Sequence, residues 1–183
     1  MTPAASVSGD ERLRLFLALR LPDELLDRIE RWQHENLRAV RVMPREHLHV
    51  TLAFLGQRPA GELEAIVAAL RLAAAEAEEI RLTPVRYRET RSVGMLVLED
   101  EGDNAALLAG DLQERLEALG VYRREGRPWL PHLTVARWRE RPRLRLELPS
   151  MGTFVPSDAA AYLSRLHPGG ARYEVLESVA LGG

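Results

Sequence analysis

A chain of 183 residues, 46% apolar and 28% charged with a formal net charge of −2, has the composition of one soluble globular domain large enough to bury a core. All 25 basic residues are arginine, which excludes lysyl-adenylate ligation, Schiff-base catalysis and a P-loop with its phosphate-reaching lysine. The absence of cysteine removes disulfides, thiol nucleophiles and cysteine-ligated zinc, and suits a cytoplasmic protein.

Residues 1–10 are small and polar and read as a flexible N-terminal tail with no signal-peptide pattern, leaving residues 11–183 as a single domain. Residues 14–19 alternate as a strand, and Leu21, Leu25, Ile29 and Trp32 then recur at helical spacing. Residues 47–55 carry Val50, Leu52 and Phe54 on alternate positions, a half-buried strand ending at Gly56. Leu63, Ile66, Val67, Leu70 and Ala74 predict a second helix, followed by strands at 80–88 and 94–99. The apolar run 65–75 is cut by Arg71 and is too short to span a bilayer, so no membrane association is expected. Leu107, Leu108, Leu112, Leu116 and Leu119 mark a third helix closed by Gly120. Strands follow at 131–136, 162–166 and 173–181, with an arginine-rich segment punctuated by Pro142 and Pro149 between the first two.

One internal similarity stands out. His49-Val50-Thr51-Leu52-Ala53 lines up with His132-Leu133-Thr134-Val135-Ala136, 83 residues later, each on a strand preceded by a helix. The pattern predicts two related α+β lobes with a cleft between them. Residues two apart on a strand share a face, so His49 and Thr51 point one way, as do His132 and Thr134. If the strands lie side by side, two imidazoles and two hydroxyls converge on a space that suits a phosphate. Metal-free phosphodiester cleavage needs a base for the attacking oxygen, an acid for the leaving oxygen and donors for the nonbridging oxygens. Two histidines divide the first two roles near pH 7, and Thr51 and Thr134 fill the third. Spacing alone leaves open which histidine is the acid. His34, on a helix, and His167, in a turn, read as bystanders.

These residues resemble the two-histidine phosphoesterase superfamily, and within it the RNA 2′,3′-cyclic phosphodiesterases, also called 2′-5′ RNA ligases. Residues 14–19 with Leu21-Pro22 are similar to the family's opening strand, HLHVTLAFLG at 47–56 to its first motif block, PHLTVAR at 131–137 to its second, and 168–173 to its closing segment. The resemblance implies a bilobal α+β fold: two pseudo-symmetric lobes of antiparallel sheet with helices outside and a central catalytic cleft. It implies no metal, no cofactor and an RNA substrate ending in a 2′,3′-cyclic phosphate. It also implies that His49 is the proton donor to the leaving 3′-oxygen and His132 the proton acceptor that activates water, leaving a 2′-phosphate. Without lysine, any 2′-5′ joining must be the ATP-independent reverse of the phosphodiesterase step. The protein is expected to be a monomer.

Three features depart from the bare motifs. His47 stands where the family more often has Asn; strand periodicity puts it beside His49 and Thr51, as a substrate contact or a solvated neighbour. With His49 and His132 it also leaves a three-histidine zinc site open. Arg137 completes His-x-Thr-x-x-Arg and suits a phosphate fork, but strict alternation turns it away from His132 unless the strand ends or bulges there. Residues 121–145 hold eight arginines against Glu125 and Glu140, with Trp129 and Trp138 among them. That strip reads equally as an RNA track or as a solvated edge strand with its tryptophans in the core. Related enzymes on small cyclic nucleotides or ADP-ribose cyclic phosphate, and a non-catalytic RNA-end binder, are the alternative functions.

Overall fold

The computed structural model describes residues 11–182, so the expected tail at 1–10 lies outside the described residues. Strand β1 (Arg12–Arg20) is covered on both faces: Leu13, Leu15, Leu17 and Leu19 enter the main core, while Phe16 and Ala18 join a separate aromatic cluster. Helix α1 (Asp23–Asn36) starts just after Pro22, whose fixed φ suits a helix start, and carries Asp23 and Glu24 where the helix dipole favours acids. A two-residue strand β2 (Arg41–Val42) and a 3₁₀ turn (Arg45–His47) lead to β3 (Val50–Pro59). Helix α2 (Leu63–Glu76), strands β4 (Leu82–Glu89) and β5 (Val93–Asp100), helix α3 (Asn104–Ala118) and strands β6 (His132–Arg137), β7 (Asp158–His167) and β8 (Gly170–Val179) complete the order.

The strands form two antiparallel four-stranded sheets, ordered β3-β1-β7-β8 and β2-β6-β5-β4. One cluster of buried side chains runs from Leu13 and Leu52 on the first sheet to Leu96 and Val135 on the second. The helices are interleaved with the sheets. α2 and α3 lie against the first sheet, whereas α1, which follows a strand of the first sheet, lies against the second, with Trp32 beside Tyr87 of β4 and Gln33 bonded to β6. Asp100, at the end of β5, caps α3 by accepting from the amides of Ala105 and Ala106 at 3.0 and 2.8 Å. Gly120, at φ 71°, closes α3, with the Val121 amide bonded back to the Leu116 carbonyl.

This is the expected α+β architecture of two antiparallel lobes. Three details differ from the sequence reading. The strand read from 47 begins at Val50, because Pro44 opens a 3₁₀ turn that takes up Arg45 to His47, and it continues past Gly56 to Pro59. β2 is too short to show a period. The arginine-rich segment is not an edge strand: Glu89, its carboxylate buried, accepts from the amides of Arg143 and Leu144 and from the Arg141 side chain, which holds the chain there without a ladder. Among the described residues, no helix is long and apolar enough to cross a membrane.

Candidate active site

The two His-x-Thr segments come from different sheets and approach each other. β3 and β6 bring Cα atoms within 8 Å, and the Trp129 indole, just before β6, donates to the Thr51 carbonyl at 3.0 Å. Val50 and Leu133 are fully buried beneath, which leaves His49, Thr51, His132 and Thr134 half-buried on the opposite face.

Each motif strand then bulges at the same place. Ala18 and Leu17 of β1 pair with Thr51 and Ala53, so Leu52 is one residue too many. Met95 and Gly94 of β5 pair with Thr134 and Ala136, so Val135 is likewise extra. Two consecutive residues therefore face the core in each strand (Leu52 with Ala53, Val135 with Ala136), and the next one, Phe54 or Arg137, is turned back to the histidine side. The bulge thus puts Arg137 on the side of the histidines, where strict alternation would not, and its charge acts on both His47 and His49.

A bulge leaves a ladder carbonyl in need of a donor. Each bulge carbonyl accepts from a buried glutamine that the sequence reading did not single out, and the Val135 carbonyl accepts from the Met43 amide at 2.9 Å as well. Gln113 of α3 donates from Nε2 to the Leu52 carbonyl at 2.9 Å, and Gln33 of α1 donates to the Val135 carbonyl at 2.9 Å and to Met43 at 3.0 Å. The signal for them was present: each is a polar residue on the apolar stripe of its helix, Gln33 beside Ile29 and Trp32, Gln113 beside Leu112 and Leu116.

The histidines themselves differ. His49 stands at the entrance to β3 against Phe16, with ring centroids 4.9 Å apart, and near Tyr162 and Tyr173 at 5.9 and 5.8 Å. Its Nε2 is 3.1 Å from the Thr51 hydroxyl, and its buried Nδ1 has no partner of ordinary hydrogen-bond geometry. Burial pushes its pKa down to about 4, helped by the charges of His47, His132 and Arg137; the His47 carbonyl opposes the shift. His132 instead has Nδ1 2.9 Å from the Leu130 carbonyl. A carbonyl can only accept, so in the neutral ring Nδ1 carries the proton and the Nε2 lone pair is free.

His47 is not on the strand, and its ring stacks on Tyr173 at 4.1 Å. Burial lowers its pKa, as do Arg41 and Arg137, against Glu46. Among the described residues, no three side chains of His, Cys, Asp or Glu are grouped to hold a metal ion, so the three-histidine arrangement is not formed. Trp129 and Trp138 both pack against the core, and the Trp138 indole donates to the Thr90 carbonyl at 3.3 Å, so neither is an open stacking platform. Of the strip arginines, Arg124, Arg127 and Arg141 pair with acids, whereas the guanidinium groups of Arg123, Arg137, Arg139, Arg143 and Arg145 have no acidic partner among the described residues. His34 and His167 are exposed, one on α1 and the other at the end of β7.

Residues 21–169 match the profile of the 2'-5' RNA ligase superfamily. The chain is similar to the RNA 2',3'-cyclic phosphodiesterase of Thermus thermophilus, 33% identical over 182 residues that cover 93% of this chain and 91% of that protein. It is similar to the protein of the same name from Methanocaldococcus jannaschii, 25% identical over 182 residues that cover 90% and 99%. Its fold superposes on E. coli LigT crystallised with 3'-AMP with a TM-score of 0.81 at 24% identity, covering 94% of this chain and all of that one.

Proposed function

The chain belongs to the 2'-5' RNA ligase superfamily, and we propose that it hydrolyses RNA 2′,3′-cyclic phosphate ends to 2′-phosphomonoesters, with residues 11–183 acting as one bilobal unit. The observation that carries the reading is the pair of bulged His-x-Thr strands, which bring two imidazoles, two hydroxyls and Arg137 to one side of the meeting strands. The similarity to two RNA 2',3'-cyclic phosphodiesterases supports the substrate.

In this mechanism the phosphate lies between the motif strands with its nonbridging oxygens on the Thr51 and Thr134 hydroxyls and the Arg137 guanidinium. Neutral His132 takes a proton from water at Nε2, the side left free by its bond to Leu130. The water oxygen attacks phosphorus, the P–O3′ bond breaks, and His49 gives its proton to the departing 3′-oxygen, leaving a 2′-phosphate and a 3′-hydroxyl. With an RNA 5′-hydroxyl in place of water, the same displacement forms a 2′-5′ linkage without a nucleotide cofactor. His49 must be charged at the start. Its depressed pKa makes the imidazolium a strong acid, and the anionic phosphate offsets the neighbouring positive charges that disfavour that form. His47, stacked on Tyr173, lines the same side as a substrate contact.

The test is incubation of the purified protein, in EDTA, with an oligoribonucleotide ending in a 2′,3′-cyclic phosphate, with the product resolved as 2′- or 3′-monophosphate. A 2′-phosphate is expected. A 3′-phosphate would reverse the leaving oxygen, and binding without turnover would make the protein an RNA-end binder.

A further inference from the structure

The first motif lacks an arginine where the second has Arg137, and Phe54 stands there, half exposed at 50%. A guanidinium nevertheless lies beside it. Arg14 of β1 lies over the Phe54 ring at 5.0 Å from its centroid. Leu13 and Leu15 on either side of Arg14 enter the main core, so strand alternation puts Arg14 on the face of Phe16 and Ala18, the face that carries the aromatic wall beside His49. Neighbouring arginines are paired, Arg20 with Asp158 and Arg58 with Glu62. Arg14 has no acidic partner among the described residues, and its Nε is buried without any hydrogen-bond partner. An unpaired buried donor on a cation is costly and marks a place that an anion would satisfy.

The spacing says which anion. Thr51 pairs with Ala18 and Phe54 with Phe16, two residues earlier on β1, a separation of about 7 Å. That is of the order of one nucleotide step in an unstacked strand. From these observations we propose that Arg14, held flat on Phe54, binds the internucleotide phosphate on the 5′ side of the terminal nucleotide, so that the protein distinguishes an RNA chain from a mononucleotide. This rests on the cyclic-phosphodiesterase reading above.

The experiment measures kcat/KM for a mononucleotide 2′,3′-cyclic phosphate and for a dinucleotide with the same cyclic end, in wild type, Arg14→Gln and Phe54→Leu. The preference for the dinucleotide falls about tenfold in Arg14→Gln, the scale of a lost charge-assisted contact, and by less in Phe54→Leu, which keeps the cation and loses its platform. The dinucleotide advantage also weakens with salt in wild type but not in Arg14→Gln. An Arg14→Gln protein that loses activity equally on both substrates, or on neither, overturns the subsite. A wild type that hydrolyses neither substrate overturns the activity on which it rests.

Discussion

The two motif strands are built alike and housed differently. Each carries His-x-Thr, then a bulge, then a residue turned back to the histidine side, and each bulge is held by a glutamine from a helix. Around His49 there are aromatic rings, a buried Nδ1 without a partner and positive neighbours, whereas His132 has a carbonyl at Nδ1. The repeat delivers two equivalent side chains to one place, and the surroundings make one ring hard to charge and orient the other; in the proposed mechanism these are the acid and the base.

The most direct way to break this comparison is to remove each ring. His49→Ala and His132→Ala should each lower kcat on a cyclic-phosphate end by about 10²–10⁴-fold. The two should part on a phosphodiester with a nitrophenoxide leaving group, which departs without a proton. There His49→Ala recovers much of its rate and His132→Ala does not, while equal behaviour would abolish the division of roles. Next in size, Thr51→Val and Thr134→Val should each cost about 10²-fold in kcat, as for other transition-state donors. Single-turnover rates at saturating substrate would check that the loss is in chemistry.

The bulges test the part that is alike. Gln113→Leu takes the glutamine donor from the Leu52 carbonyl, and Gln33→Leu takes it from the Met43 carbonyl while the Val135 carbonyl keeps the Met43 amide; each should destabilise the fold by about 1–3 kcal/mol in denaturant titrations. Gln33→Leu should also raise KM, because Arg137 follows the Val135 bulge, whereas Gln113→Leu acts on the Phe54 side and should weaken dinucleotide substrates more than mononucleotides.

The smallest effects come from pH. The His49 pKa is about 4 in the folded chain against 6.5 for a free imidazole, so the unfolded chain binds the extra proton first. The stability contributed by neutral His49 is full above about 6.5 and is lost as the pH falls towards about 4; His49→Gln should flatten that slope in melting curves taken across the window. Phosphate binding should draw a proton onto His49, seen calorimetrically as proton uptake that differs between buffers and disappears in the same variant. The pH profile of kcat/KM should be bell-shaped, since one ring must be neutral and the other charged.

Most of the architecture was legible because it rests on periodicity. Alternating leucines mark β1 and the 3.6-residue stripes mark the helices, and the repeated His-x-Thr announces both motif strands. The bulges were not legible: an extra residue in a ladder has no composition of its own, and Leu52 and Val135 read as ordinary core positions. Arg137 therefore read as facing away from His132. His47 was misplaced because a strand period was extended across a turn set by Pro44. The tryptophans of the arginine strip were ambiguous because an indole serves equally as platform or as filler, and only the bonds to Thr51 and Thr90 decide.

The exchange of glutamines reaches beyond the site. A cut between α2 and β4 would give two pieces, each holding one His-x-Thr strand together with the helix that shapes the strand of the other piece. Neither fragment could form its own working half, and the two mixed together should regain activity in proportion to reassociation. The molecule is in this sense a reciprocal clasp, whose halves become competent only in each other's grip.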